Sequence, residues 1–358
     1  VPQRHDITQA RQSLCCALPR VTPRSRGKLR PMIQSCYRGP DGTLRLDLTN
    51  DEIRAAVHEP RGLLWVDIFA DGGRREGEQI LAGIFDFHPL TIDDCYNTLI
   101  DPPKVDDYGR YLFMIIHNVR YEVDRQRLLT AELDLYVGPN YVVTLHKTPL
   151  HSVAEIRRRA ENHSLVMDHG PPFLAHAVFD VVVDEFHPVV EALDDEVSAV
   201  QELVLEHPDR EVLQTVLQLK RNGQRLKRSI LPQRDVANRF ARGQYGSLID
   251  GESLFYFRDI YDHTVRIEEM IDSVRDLSDS ALNTYLSSVN NRTNEVMKTL
   301  TIVAVIFLPL TLVASVYGTN FEETFPDYGW DAGFYGMVAT FIIIVIALVA
   351  WFRFRRWI

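Results

Sequence analysis

Two stretches toward the C-terminal end carry no charged residue, "LTIVAVIFLPLTLVASVY" at 300 to 317 and "FYGMVATFIIIVIALVAWF" at 334 to 352. Each is about long enough to cross a ~30 Å hydrocarbon core at ~1.5 Å of rise per residue. A buried soluble helix of that length normally keeps a polar stripe, whereas these keep hydroxyls at most. The pattern predicts a transmembrane hairpin. Lys298 precedes the first span and "RFRRW" follows the second, while the connecting "GTNFEETFPDYGWDAG" holds four acids and no Lys or Arg. The excess of basic residues on the cytoplasmic side puts both chain ends in the cytoplasm and the short loop outside. Tyr328, Trp330 and Tyr335 suit an interfacial belt.

Upstream, the pattern changes from strands to helices. "LLWVDIFA" (63 to 70), "YLFMIIHNVRYEV" (111 to 123) and "LLTAELDLYVGPNYVVTLHK" (128 to 147) predict strands, the last with a hairpin turn at Gly138-Pro139-Asn140. Capped helices are expected near Thr49 and Thr91. From residue 172 the period is helical. The acidic "ALDDEVSAVQELVLEHP" breaks at His207-Pro208 and the more basic "REVLQTVLQLKRNGQRLKRS" follows, an antiparallel helical hairpin whose first arm Pro188 should kink.

Between Gly251 and Pro309 there is neither Gly nor Pro, and Ile260, Ile267, Val274 and Ala281 recur at heptad spacing, with Ile271 and Tyr285 alongside. One helix from about Glu252 to Tyr317 would be roughly 100 Å long. Its apolar seam is expected to pack against copies of itself; the alternative is two helices broken near Ser278. The same face, followed into the membrane, reads Asn294, Met297, Thr301, Ala304, Leu308, Thr311, Ser315, and the opposite face carries Ile302, Val305, Ile306 and Val313. Hydroxyls aligned in lipid can bond back to their own helix, glue helices together, or line a pore in a ring of such helices. The pore is the reading that accounts for their alignment.

Composition narrows the classes. A net charge of -10 over 358 residues argues against nucleic-acid binding, which depends on neutralising phosphates. The four cysteines, Cys15, Cys16, Cys36 and Cys95, form no CxxC pair and point to a reduced main domain without structural zinc. Residues 1 to 31 read as a flexible basic tail with no secretory signal, or alternatively as an Arg-rich transit peptide. No GxxxxGK[ST], HExxH or GxSxG occurs, so neither ATP hydrolysis nor hydrolase chemistry is indicated.

With this layout, the chain from about residue 32 resembles the CorA family of divalent-cation transporters. The likeness is tightest in "FRDIYDHTVRI" (257 to 267), "YLSSVNNRTNEVMKTLTIVAVIFLPLTLVASVYGTNF" (285 to 321) and the terminal basic patch. The family's Tyr-Gly-Met-Asn loop stands here as Tyr317-Gly318-Thr319-Asn320. The resemblance implies an α/β cytoplasmic domain (32 to 170), a helical hairpin (171 to 250), a stalk helix entering the membrane (251 to 317), an external loop (318 to 333), a second span (334 to 352) and a basic tail (353 to 358). Five copies would form a homopentameric funnel in a bacterial or archaeal cytoplasmic membrane.

It further implies that Gly318, Thr319 and Asn320 form the outer mouth and that Thr311 and Asn294 line the pore. Met297, Leu300 and Leu308 would form a hydrophobic gate that closes by dewetting. Neutral amides suit magnesium, which gives up its water reluctantly. The structural alternatives are a helix cap at Gly318 and plain helix packing at Met297. By position in matching motifs, Asp94 and Asp259 resemble a regulatory magnesium pair between subunits, and Asp93, Asp180 and His263 a second site. Asp93 and Asp94 would also suit the first turn of a helix, where acids favour the macrodipole. Thr319, Ser315 and Asn283 depart from the family pattern, so magnesium, cobalt, nickel and zinc all remain candidate ions. A zinc transporter like the ZntB branch and a membrane-anchored metal sensor are the competing readings. No organic cofactor is expected.

Overall fold

The computed structural model describes residues 33–70, 74–162, 165–246, 248–249, 251–318, 333–355 and 357. The basic tail, 1–31, lies outside them. The chain forms two compact units, Val1–Leu282 and Asn283–Ile358.

The first unit is built on a seven-stranded sheet. Its strands are β1 (Ile33–Arg38), β2 (Leu44–Leu46), β3 (Leu63–Phe69), β4 (Lys104–Asp107), β5 (Leu112–Glu122), β6 (Arg127–Val137) and β7 (Tyr141–His146), in the spatial order β2-β1-β3-β7-β6-β5-β4. Only β3 and β7 run parallel, with Leu64 opposite Tyr141; every other pair is antiparallel. All of β7 is buried, as its near-continuous apolar sequence requires for a strand covered on both faces. The predicted turn joins β6 to β7. A Cβ on Gly138 would fall 2.2 Å from the Tyr141 ring, so glycine is required there. Asn140 donates from Nδ2 to the carbonyls of Ala56, Val57 and Glu59, tying the hairpin to the end of the first helix.

One sheet face carries α1 (Asn50–Val57), α2 (Arg74–Gly83) and α3 (Pro89–Tyr96). Their Ile53, Ile80, Leu81, Ile92 and Cys95 enter one core with Val66, Phe113, Ile115, Tyr136 and Val143. Thr49 caps α1 in a reciprocal box with Glu52. The helix expected to start at Thr91 starts earlier, because the Nδ1 of His88 accepts the Leu90 amide and Pro89 fits the first helical position. Asp93 and Asp94 therefore stand in the C-terminal half of α3, not its first turn. The macrodipole does not explain two acids there.

Beyond α4 (His151–Glu161) come α5 (Gly170–Asp184), α6 (Phe186–Glu206) and α7 (Arg210–Ala241), the last three packing against β5. The chain breaks helix at Glu185, not at Pro188. Pro188 has no N–H to offer the Asp184 carbonyl, so the interruption falls before it and proline sits within the first turn of α6. The break at His207-Pro208 is as expected, with Asp209 capping α7 through the Glu211 and Val212 amides.

A single helix, α8, spans Ser253–Tyr317. It does not break at Ser278, whose hydroxyl donates to the Val274 carbonyl at 2.8 Å. The heptad seam has a different partner from the one expected. Ile260, Ile267, Ile271, Val274 and Ala281 are already buried in the single chain. Lys227 and Arg234 of α7 hold Asp272 and Glu268 of α8, Gln201 of α6 reaches the Leu277 carbonyl, and Phe240 stacks on Phe257. This seam is therefore covered by the chain's own helices and is not reserved for copies of itself.

The second unit holds the end of α8 and α9 (Gly333–Phe354). The most apolar windows of both helices have a mean hydropathy of 2.4, yet only 0% and 6% of their residues are buried. A soluble core helix would be covered; these present their apolar surface outward, as a bilayer requires. At the C-terminal end of α9 Phe352 is fully buried beside Trp351 and Trp357.

Candidate ion pathway and cation site

Every member of the polar stripe, Asn294, Met297, Thr301, Ala304, Leu308, Thr311 and Ser315, is exposed along α8. On the opposite face Ile302, Ile306 and Val313 are half-buried. Val305 on that face is exposed, as are Val303, Phe307, Leu312 and Val316 beside the stripe, so the helix is open well beyond its polar side. Thr301 donates to the Met297 carbonyl at 2.7 Å and Thr311 to the Phe307 carbonyl at 2.8 Å. With each hydroxyl proton committed to its own helix, the oxygen is left as an acceptor. That polarity suits the water hydrogens around a hydrated cation. Met297, Leu300 and Leu308 are 55%, 61% and 75% exposed.

Gly318 ends α8 with its amide on the Ala314 carbonyl at 3.0 Å. It does not take the left-handed φ of a capping glycine; a Cβ there would press on the Ala314 oxygen at 3.3 Å. Thr319 and Asn320, like the loop acids Glu322, Glu323, Asp327 and Asp331, lie outside the described residues.

In the first unit, α5 and α8 bring Asp180, Asp259 and His263 together, with one ligand atom from each within 4.8 Å of the others. The Nε2 of His263 is 3.7 Å from Asp259 and its Nδ1 is 3.9 Å from Asp184. Burial and the neighbouring Asp184 hold the Asp180 carboxyl above its usual range. Two further residues belong to this neighbourhood and were not singled out in the sequence. Asp184 is one; His176 is the other, pushed down to about 4 by burial near Asp259, with its Nδ1 buried and unpartnered. Their signal was available, since 176, 180 and 184 follow a four-residue step on α5.

The expected sites draw on residues of neighbouring subunits, and the single chain brings part of them together. Asp259 joins Asp180 and His263, whereas Asp93 and Asp94 do not enter that cluster. Asp94 instead pairs with Lys104 at 2.8 Å and Asp93 with Arg74 at 3.3 Å. Two carboxylates and an imidazole fit a divalent cation: the oxygens suit magnesium and the nitrogen suits cobalt or nickel.

A membrane hairpin at the end of a long helix, with an open hydroxyl row and a carboxylate cluster in an α/β unit, defines a cation-handling integral membrane protein. The chain belongs to the CorA-like Mg2+ transporter family, whose model matches residues 61–356. It is therefore an ion transporter by family and not an enzyme. It is 34% identical over 286 residues to the cobalt/magnesium transport protein CorA of Thermotoga maritima, covering 80% of this chain and 81% of that one. Identity to the CorA of Methanocaldococcus jannaschii is 25% over 258 residues, 72% of this chain and 80% of that protein. The complete structure of the magnesium transporter CorA from Methanocaldococcus jannaschii superimposes with a TM-score of 0.79 at 21% identity, covering 92% of this chain and 100% of that one. That likeness establishes the expected fold: an α/β domain, long helices and two terminal apolar helices.

Proposed function

We propose that the chain assembles as a homopentameric channel-type transporter in a bacterial or archaeal cytoplasmic membrane, both termini cytoplasmic, passing hydrated divalent cations inward. Magnesium is the favoured ion, with cobalt and nickel as further permeants. The observation that carries this reading is the open stripe from Asn294 to Ser315, every member exposed and none a carboxylate. A fixed charge in low dielectric would hold a divalent ion too long. A row of acceptor oxygens ending at Asn320 would exchange with the ion's own water and release it. Five copies supply the apolar cover that Met297, Leu300 and Leu308 lack, forming the gate.

Entry needs no chemical fuel. A divalent cation moving into a negative-inside cell gains about 4.6 kcal/mol per 100 mV. Cytoplasmic cations would hold the closed state by bridging Asp180, Asp259 and His263 of one chain to Asp93 and Asp94 of a neighbouring subunit. Arg74 and Lys104 neutralise those two acids in the single chain, and release of Lys104 would free Asp94 for the cation. When the cation leaves, the facing acids repel and the pore opens. The zinc reading has less behind it: the cytoplasmic domain of ZntB from Vibrio parahaemolyticus shares 11% identity at a TM-score of 0.51, a likeness of fold alone.

The test is uptake of magnesium, cobalt and zinc, each measured separately, into liposomes holding the wild type or Asn320→Ala. The wild type should pass magnesium and cobalt, and the variant should pass neither while its pentamer survives. Equal flux through both would refute the mouth.

A further inference from the structure

Glu132 and Asp134 of β6 take no part in the ion pathway, yet they are 6% and 1% exposed. Two residues apart on one strand, they point to the same face. Glu132 Oε2 accepts the Asp101 amide at 2.8 Å. Its Oε1 and the Oδ1 of Asp134 are buried with no hydrogen-bond partner. An ionised carboxylate buried in that condition is costly unless a cation or a proton answers it.

Among the described residues, the surrounding groups supply one cation at most. Lys147 Nζ stands 3.9 Å from Glu132 Oε1 and donates to the Asn97 carbonyl at 2.7 Å. From α3 come Cys95, with its sulfur 3.2 Å from the Tyr136 hydroxyl, and Tyr96. Opposite Glu132 on β5 is His117, which burial keeps neutral while it contacts the Asp101 carbonyl and Ser229 of α7. Gln233 of α7 is uncharged and binds the His117 amide. Asp101 adds a third acid, bonded to Asn97. Lys147 can balance Glu132, which leaves Asp134 without a counter-charge.

We propose that Glu132 and Asp134 form a proton-binding site, a carboxylic acid facing a carboxylate with one proton between them, on which the seat of α3 depends. The proton sits on Asp134 and is shared with Glu132. Burial and the charge of Glu132 both push Asp134 well up, in keeping with this assignment. The link to α3 is direct: Cys95 lies over the pair, and the segment from Asn97 to Asp101 that follows the helix is hung on Lys147 and Glu132. Losing the proton sets two buried carboxylates against each other beneath the helix that carries Asp93 and Asp94. A group whose folded pKa is raised stabilises the fold at low pH, and that contribution is lost as pH rises toward the folded pKa.

The test uses the full-length protein in detergent without divalent cations, so it does not depend on the transport reading. Infrared spectra of the wild type at neutral pH should show a protonated-carboxyl C=O band that Asp134→Asn removes. Hydrogen exchange over 89 to 101, corrected for the intrinsic pH dependence, should quicken several-fold at alkaline pH in the wild type and stay level in Asp134→Asn. Should that variant fail to fold, a pH titration of the wild-type band and the Glu132→Gln variant decide alone. Glu132→Gln removes the charge that helps hold the proton on Asp134, so the Asp134 band should be lost at lower pH than in the wild type. Absence of the band at neutral pH, or exchange that quickens equally in the wild type and the variants, overturns the proposal.

Discussion

On α8, Asp259 and His263 stand one turn apart, with a carboxylate oxygen 3.7 Å from Nε2, and both face Asp180 of α5. Three potential ligands from two helices of one chain thus converge without help from a second copy. A cation bound there would pin α5 to α8, so its effect should register as rigidity. Asp259→Lys places an ammonium where the cation would sit. Magnesium should protect the wild type from proteolysis, and the substitution should remove most of that protection while the fold survives. Unchanged protection would sink the cluster as a sensor.

In the proposed pathway the apolar members of the stripe have the opposite role, to keep water out. Leu308 is 75% exposed in the single chain. In a ring of five, Leu308→Asn would wet the narrow level and remove the dewetting barrier. Flux under high internal magnesium should rise several-fold over the wild type. A flux that falls or stays level would mean that Leu308 only packs helices.

Ile271 separates the two accounts of the heptad seam. It is fully buried within the chain's own first unit. Ile271→Ala should therefore cost about 2–5 kcal/mol, seen as a lower thermal midpoint, while the purified protein keeps its oligomeric state. Loss of assembly with an unchanged midpoint would restore the seam to the subunit contact.

The seam also shows how far the residues alone could be read. Its spacing placed Ile260, Ile267 and Val274 on one face correctly, because heptad periodicity reports a helix with an apolar side. It does not report which helix covers that side, and here α6 and α7 of the same chain do. The long central strands were legible for a similar reason: β7 is apolar throughout and needs cover on both faces. By contrast β2 is three residues long with two of them exposed, and carries no period to read. Asp94 was legible as an acid in a suggestive motif; its partner Lys104 lies on β4, a strand that the pattern did not reveal. The spans were plain from charge alone. The direction of the Thr301 and Thr311 protons was not, since it depends on the rotamer each takes on the helix.

The hydroxyl row is the part of the account on which conduction stands, and Thr311 is its most informative position. Thr311→Cys would put a ring of thiols in the path, where a soft cation such as cadmium binds tightly. Val313→Cys, two residues on and half-buried on the other face, provides the control. The expected result is that cadmium stops magnesium flux through Thr311→Cys liposomes, that a chelator restores it, and that Val313→Cys conducts throughout. Block confined to Val313→Cys, with Thr311→Cys indifferent to cadmium, would contradict the pathway.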